Sequence, residues 1–254
     1  MEEQELTFWE HLDVLRGSII RILVVSVICG IGAFCFKERL FALVLAPKSS
    51  AFITYRLMGT EEFNLHLMNT GLTEQFMIHL KTAFCFGVLC ASPYVLYVLY
   101  KFIAPALYQR ERRYAGRIVG AAYAMFIVGI VVNYLLIFPL TVRFLGTYQV
   151  STEVDNMLTI QSYIDTLLMM SLVFGVVFEI PVISWLLAIF GLLKSDWMKQ
   201  FRKHAFVAIL IIAAVITPTA DIFTLAIVSV PIWLLYEASI WIVRGTEKKE
   251  DIPS

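Results

Sequence analysis

Residues 174–181 read FGVVFEIP, with LLMMSLV (167–173) before them and VISWLLAIFG (182–191) after. Glu179 is the only charge between Asp165 and Lys194. Pro181 follows it, a residue that removes a helix donor and bends the chain. A run this apolar suits oil better than water, and it is long enough to cross a bilayer. A hydrocarbon core of about 30 Å takes about 20 helical residues. A charge near the middle of such a span costs roughly 2.5–3.5 kcal/mol. Protonation is one escape and a polar partner is the other, so an intramembrane acid reads as a functional site by default.

Working outward, the same solvent preference holds along the whole chain. Of 254 residues, 59% are hydrophobic and only 16% charged, with a mean hydropathy of +0.79. A soluble domain of this size needs far more polar surface. The fold class is therefore an all-α polytopic membrane protein, read as one integral membrane domain over 1–254. About six transmembrane helices are expected, near 18–36, 74–104, 117–138, 162–193, 205–216 and 222–243. Pro93, Pro181 and Pro231 kink the second, fourth and sixth. The fifth and sixth are expected to be short. The fifth has only 12 residues before TPTAD (217–221) breaks it, a rise of about 18 Å, so it thins the bilayer locally or is shielded by protein.

Orientation follows from lysine and arginine. One side of this layout holds Arg16, the 110–117 arginines, the 194–203 basic cluster, Arg244, Lys248 and Lys249. That makes twelve cations, against five on the other side. Both termini are expected in the cytoplasm, with a helix over 5–17 before the first span and a tail over 244–254. The start, MEEQELTFWEHLD, is acidic where a cleavable signal peptide is basic.

Several chemistries are disfavoured. The formal net charge is zero and no basic, aromatic-laced patch points to nucleic acid. The four cysteines lie in apolar runs without a CxxC, and the four histidines are scattered. No metal or cofactor is expected. No internal repeat is evident, which argues against an inverted-repeat transporter.

Three further stretches could carry function. In TFWEHLDVLR (7–16), Thr7 and Glu10 have capping-box spacing, and Phe8, Leu12, Leu15 and Ile19 form an apolar stripe suited to the membrane surface. In KFIAPALYQRERR (101–113), Pro105 ends the helix, and the arginines are explained by topology while Glu111 is not. In ITPTADIFTLAIVSVPIWLLYE (216–237), Asp221 is a favoured N-cap for the sixth helix and Glu237 an acid near its far end.

HLDVLR (11–16), LAPKSS (45–50), FIAPALYQRERR (102–113), FGVVFEIP and TPTADIFT…PIWLLYE, in this order, resemble the TatC family, the polytopic core of the twin-arginine protein translocase. The resemblance implies a receptor and scaffold rather than an enzyme, located in the cytoplasmic (inner) membrane. It implies binding of the twin-arginine signal peptides of folded cargo on the cytoplasmic face. It further implies assembly with TatA- and TatB-type single-span proteins into homo- and hetero-oligomers, and transport drawing on the proton-motive force. Carried onto this sequence, the signal-peptide site comprises Glu111, Phe102 and Tyr108 of the loop motif with Glu10, Asp13 and Arg16 of the N-terminal one. The intramembrane partner-docking acids are Glu179, Asp221 and Glu237. This sequence departs from the family at Val14, where relatives carry a glutamate. Asp13 adjoins that place, and Glu10, one turn earlier on the same helix face, is the better substitute. The rival reading is a proton-coupled secondary transporter with Glu179 as the proton site.

Overall fold

A chain of long apolar runs punctuated by proline and short polar loops has one way to satisfy its backbone in lipid, which is to wind each run into a helix. The computed structural model describes residues 8–59, 63, 65–103, 115–148, 157–217 and 221–250, and helices dominate them. In chain order these are α1 (Phe8–Cys35), α2 (Lys37–Leu45), α3 (Ile53–Leu57), α4 (Glu74–Ile103), α5 (Ala115–Val132), α6 (Phe138–Thr147), α7 (Ile160–Val177), α8 (Ile180–Ile189), α9 (Ser195–Gln200), α10 (Arg202–Ile216) and α11 (Ile222–Glu250). Two short strands, β1 (Leu67–Met68) and β2 (Leu158–Thr159), pair in parallel with Leu67 opposite Leu158. Among the described residues, five stretches are long and apolar enough to cross a membrane: Leu12–Cys35, Glu74–Phe102, Ile118–Thr147, Ile160–Ile189 and Ile222–Glu247. This is an all-α, multi-pass membrane architecture.

Four boundaries differ from the sequence reading, each for a physical reason. The helix over 5–17 and the first span are one helix, since nothing between Phe8 and Cys35 stops the hydrogen-bond ladder; residues 5–7, with Thr7 of the capping box, lie outside the described residues. The third span runs on to Thr147 through Pro139. A π turn at Asn133–Ile137 widens the ladder there, with Phe138 N–H donating to the Asn133 carbonyl, and the proline then sits in the first turn of α6 where its missing donor costs nothing. The fourth span is two helices broken at Phe178–Glu179. The sixth helix is not short: α11 has 29 residues, because the hydropathy falls after Val243 but no helix-stop signal accompanies it. The fifth remains brief, at 15 residues, rising about 22 Å.

The chain divides into two compact units. The first comprises Met1–Leu40 and His79–Tyr123. Within it, α1 and α4 touch at backbone level. A Cβ on Gly87 would stand 2.5 Å from the Ser26 carbonyl oxygen and 2.6 Å from the Gly30 nitrogen, so only glycine fits. This is close packing through small residues, the usual means of joining helices in lipid. The Phe34 and His79 rings stack nearby with centroids 4.0 Å apart. Most of α1 faces outward, as only 11% of its apolar window is buried.

The second unit comprises Phe41–Ile78 and Ala124–Ser254. Its loop end is tied by tyrosines. Tyr55 donates to the Pro47 and Pro139 carbonyls at 3.1 and 2.9 Å, Tyr163 to Val44 at 3.1 Å, and Tyr134 to Leu43 at 2.7 Å. Thr54 donates to the Leu135 carbonyl. At its other end α8 packs against α11, where Ala188, Met198, Ile240 and Val243 are buried together.

Candidate functional site

The break after α7 is built by its own sequence. Pro181 has no N–H to continue the ladder. The α-helical ladder runs as far as Phe178, which donates to Phe174 at 3.0 Å, and then tightens by one residue, with Glu179 donating to Val176 at 3.0 Å. Beyond it, Ile183 donates to the Glu179 carbonyl at 2.9 Å and α8 begins. Glu179 therefore sits at the joint of two helices. Its side chain is buried, 8% exposed, and Oε1 has no hydrogen-bond partner among the described residues. A buried carboxylate oxygen left without a donor carries its full desolvation cost.

The wall holding this joint is tight. Gly129 on α5 abuts α7 so closely that a Cβ would lie 2.5 Å from the Phe174 carbonyl and 2.9 Å from Phe178 Cβ. Four residues along α5's line, Asn133 in the π turn donates to Ser171 Oγ on α7 at 3.0 Å, a buried bond between two fully apolar runs. Sequence reasoning missed this pair. The lone asparagine in IVVNYLLIF (130–138) was the available signal.

The other expected site residues separate into three groups. Asp221 accepts from Thr224 N–H at 2.7 Å and caps α11, the role its position predicts. Glu237 forms a 2.7 Å ion pair with Arg202 across 35 residues, which ties the start of α10 to α11. Nearly three turns further along α11, Glu247 accepts from Ser195 N–H at 2.8 Å and Ser195 Oγ at 2.5 Å, and Tyr236 donates to the Met198 carbonyl at 2.7 Å. Asp13 and Arg16 are exposed on α1, and Phe102 is half-buried near the end of α4. Glu10 lies in the first turn of α1, its side chain outside the described residues. Tyr108 and Glu111 lie outside them altogether. The described residues thus place the three intramembrane acids and, of the signal-peptide set, Asp13, Arg16 and Phe102. Among the described residues, no cluster of histidine, cysteine, aspartate or glutamate could hold a metal ion.

The arrangement is a buried carboxylate at a helix break, walled by close-packed helices, with Asp221, Glu237 and Glu247 each engaged by a neighbouring group. The family described as Sec-independent protein translocase protein (TatC) matches residues 10–231.

The chain belongs to the TatC family.

A TatC of Blattabacterium from Periplaneta americana is 32% identical, over 98% of this chain and 99% of its own length. The TatC of Koribacter versatilis is 35% identical over 92% of this chain and 84% of its own. A crystal structure of the twin arginine translocase receptor TatC superposes with a TM-score of 0.79 at 28% identity, covering 93% of this chain and 99% of that one. TatC membership agrees with the resemblance carried by the five motifs, and it makes this chain a component of the Sec-independent protein translocase.

Proposed function

We propose that this TatC chain is the receptor for twin-arginine signal peptides of folded cargo and the scaffold on which single-span partner helices of the TatA and TatB type assemble. In this reading the protein is no enzyme. It lies in the inner membrane with both termini in the cytoplasm, and transport draws on the proton-motive force. The observation that supports it best is the likeness, over nearly the whole chain, to a structure described as the twin arginine translocase receptor.

The chemistry of recognition follows from the side chains. A pair of guanidinium groups presents planar forks that carboxylates match in bidentate fashion, and lysine cannot reproduce that geometry. Glu111, with Glu10 or Asp13, supplies the carboxylates; Arg16, Phe102 and Tyr108 belong to the same two motifs. Glu179 offers its unpaired oxygen to a polar group on a partner helix, which removes the cost of leaving it bare. That same bare oxygen is the one observation favouring the proton-coupled transporter. No second buried acid lies along α7 and α8 to pass a proton onward, and the receptor reading stands ahead.

The test is a site-specific crosslink between this chain in sealed vesicles and a twin-arginine signal peptide added from the cytoplasmic face. Crosslinking is expected with Arg-Arg peptide, to weaken strongly with Lys-Lys peptide, and to be lost in Glu111→Ala. Undiminished crosslinking in Glu111→Ala, or crosslinking only from the opposite face, overturns the reading.

A further inference from the structure

Where α9 and α10 meet α11, a groove of about 420 Å³ is lined by Lys199, Arg202, Ile240, Trp241, Arg244 and Gly245. Three of the six are cations and none is an acid. Two acids pair with the lining, Asp196 and Glu237. Lys199 Nζ donates to Asp196 at 2.9 Å, and Arg202 Nη2 donates to Glu237 at 2.7 Å. Each pairing uses one donor of a group that has more, since an ammonium carries three and a guanidinium five. Arg244 makes no ion pair among the described residues. The Lys199 hydrogen bond, with the charges of Lys199 and Arg244, holds the Asp196 carboxyl below the usual carboxylate range, so it stays ionised beside the groove. The groove therefore presents several unspent donors and a positive lining, which is suited to a phosphate oxygen.

A soluble anion would need nothing more, but the groove has an apolar continuation. Ile240 is its buried floor, and Trp241 stands 78% exposed at its edge. Trp241 sits where the apolar run of α11 ends and Arg244 begins, the level at which tryptophan partitions between hydrocarbon and headgroups. From there Leu234 and Val230, exposed and spaced seven and eleven residues back, continue the same helix face into the span. Headgroup donors, an interfacial indole and an apolar stripe thus occur in the order that a membrane lipid presents phosphate, glycerol and acyl chain.

We propose that this groove is a binding site for an anionic phospholipid, with Arg244, Lys199 and the free donors of Arg202 on the phosphate and an acyl chain along Trp241, Leu234 and Val230. A filled site would pin the end of α11 to α9 and α10 beyond what the Arg202–Glu237 pair provides. The inference does not depend on which peptide the receptor binds.

The experiment uses the full chain, delipidated in a neutral detergent and titrated with phosphatidylglycerol or phosphatidylcholine. Native mass spectrometry counts bound lipid, and the melting temperature of the lipid-free protein reports the fold. Wild type is expected to prefer phosphatidylglycerol. Arg244→Gln, which leaves both ion pairs intact, should lose about fivefold of that preference, the usual effect of one basic residue near anionic lipid. Gly245→Phe fills the groove from a position where a Cβ meets no atom within 4 Å, and should lower phosphatidylglycerol binding with the lipid-free melting temperature maintained. Asp196→Asn should strengthen it by releasing Lys199. Wild-type affinity in both Arg244→Gln and Gly245→Phe overturns the proposal. So does displacement of phosphatidylglycerol by equimolar inorganic phosphate, which would mark a simple anion site, or by an acidic peptide, which would mark a protein-docking surface.

Discussion

Glu74 and Glu179 both belong to the second unit, and at 7% and 8% exposure they are equally buried. Their surroundings are opposite. Glu74 Oε2 accepts from the backbone N–H of Thr70 at 2.9 Å and Gly71 at 2.8 Å and from the Thr70 hydroxyl at 3.2 Å, while Oε1 accepts from Gln161 N–H at 3.2 Å. Glu179 has one oxygen with no partner among the described residues. The first carboxylate is consumed in holding the loop end together. The second is held ready by a scaffold that does not satisfy it. A buried acid is thus read not by its depth but by how many of its lone pairs the protein itself fills.

Substitutions at three positions sharpen or break this comparison. The largest stability effect is expected at Glu74→Ala, which orphans three backbone donors at once; the purified protein should melt at markedly lower temperature and its loops become protease-sensitive. An unchanged melting curve would mean that the tyrosine clamps alone hold this end. Glu179 should behave in the reverse sense. Glu179→Leu removes an uncompensated polar group and should stabilise the isolated chain by roughly 2 kcal/mol, while partner crosslinking and export in vesicles fall in the order Glu, Gln, Ala. A Gln variant that assembles normally yet exports nothing would favour the proton-carrier reading, and a fully active Ala variant would leave the acid without a role. The smallest change is expected at Asp221→Ala, a lost N-cap worth about 1 kcal/mol, read as faster amide exchange in the first turn of α11. A loss of partner binding there, with the helix end intact, would place Asp221 beside Glu179 instead.

The sequence reading succeeded where the physics is local. The helical character follows from unbroken apolar runs, the Asp221 cap from its place before α11, and the shortness of α10 from TPTAD. It fell short where a residue's fate is decided far along the chain. Glu74 at the start of an apolar run looks like any interfacial acid until Gln161, 87 residues away, is seen to donate to it. Glu237 reads as open until Arg202 arrives from another helix. Asn133 and Ser171 are each unremarkable in their own span and only together explain how two helices share a buried polar bond. Pro181 did announce a bend, but a proline alone does not distinguish a kink from a full break. The 3.0 Å bond from Glu179 back to Val176, three residues rather than four, makes that distinction.

The pairing of β1 with β2, together with the Gln161 bond to Glu74, also sets an order of events during synthesis. Both halves of this clasp must reach the same side of the membrane, yet the helices α4, α5 and α6 are made between them. Strand β1 is delivered first and has no partner until β2 has emerged and been threaded across. Closing so long a loop is slow relative to winding the helices that flank it. The clasp therefore closes late: a chain ending before β2 lacks both the partner strand and the Gln161 donor, and Glu74 keeps only its Thr70 and Gly71 partners.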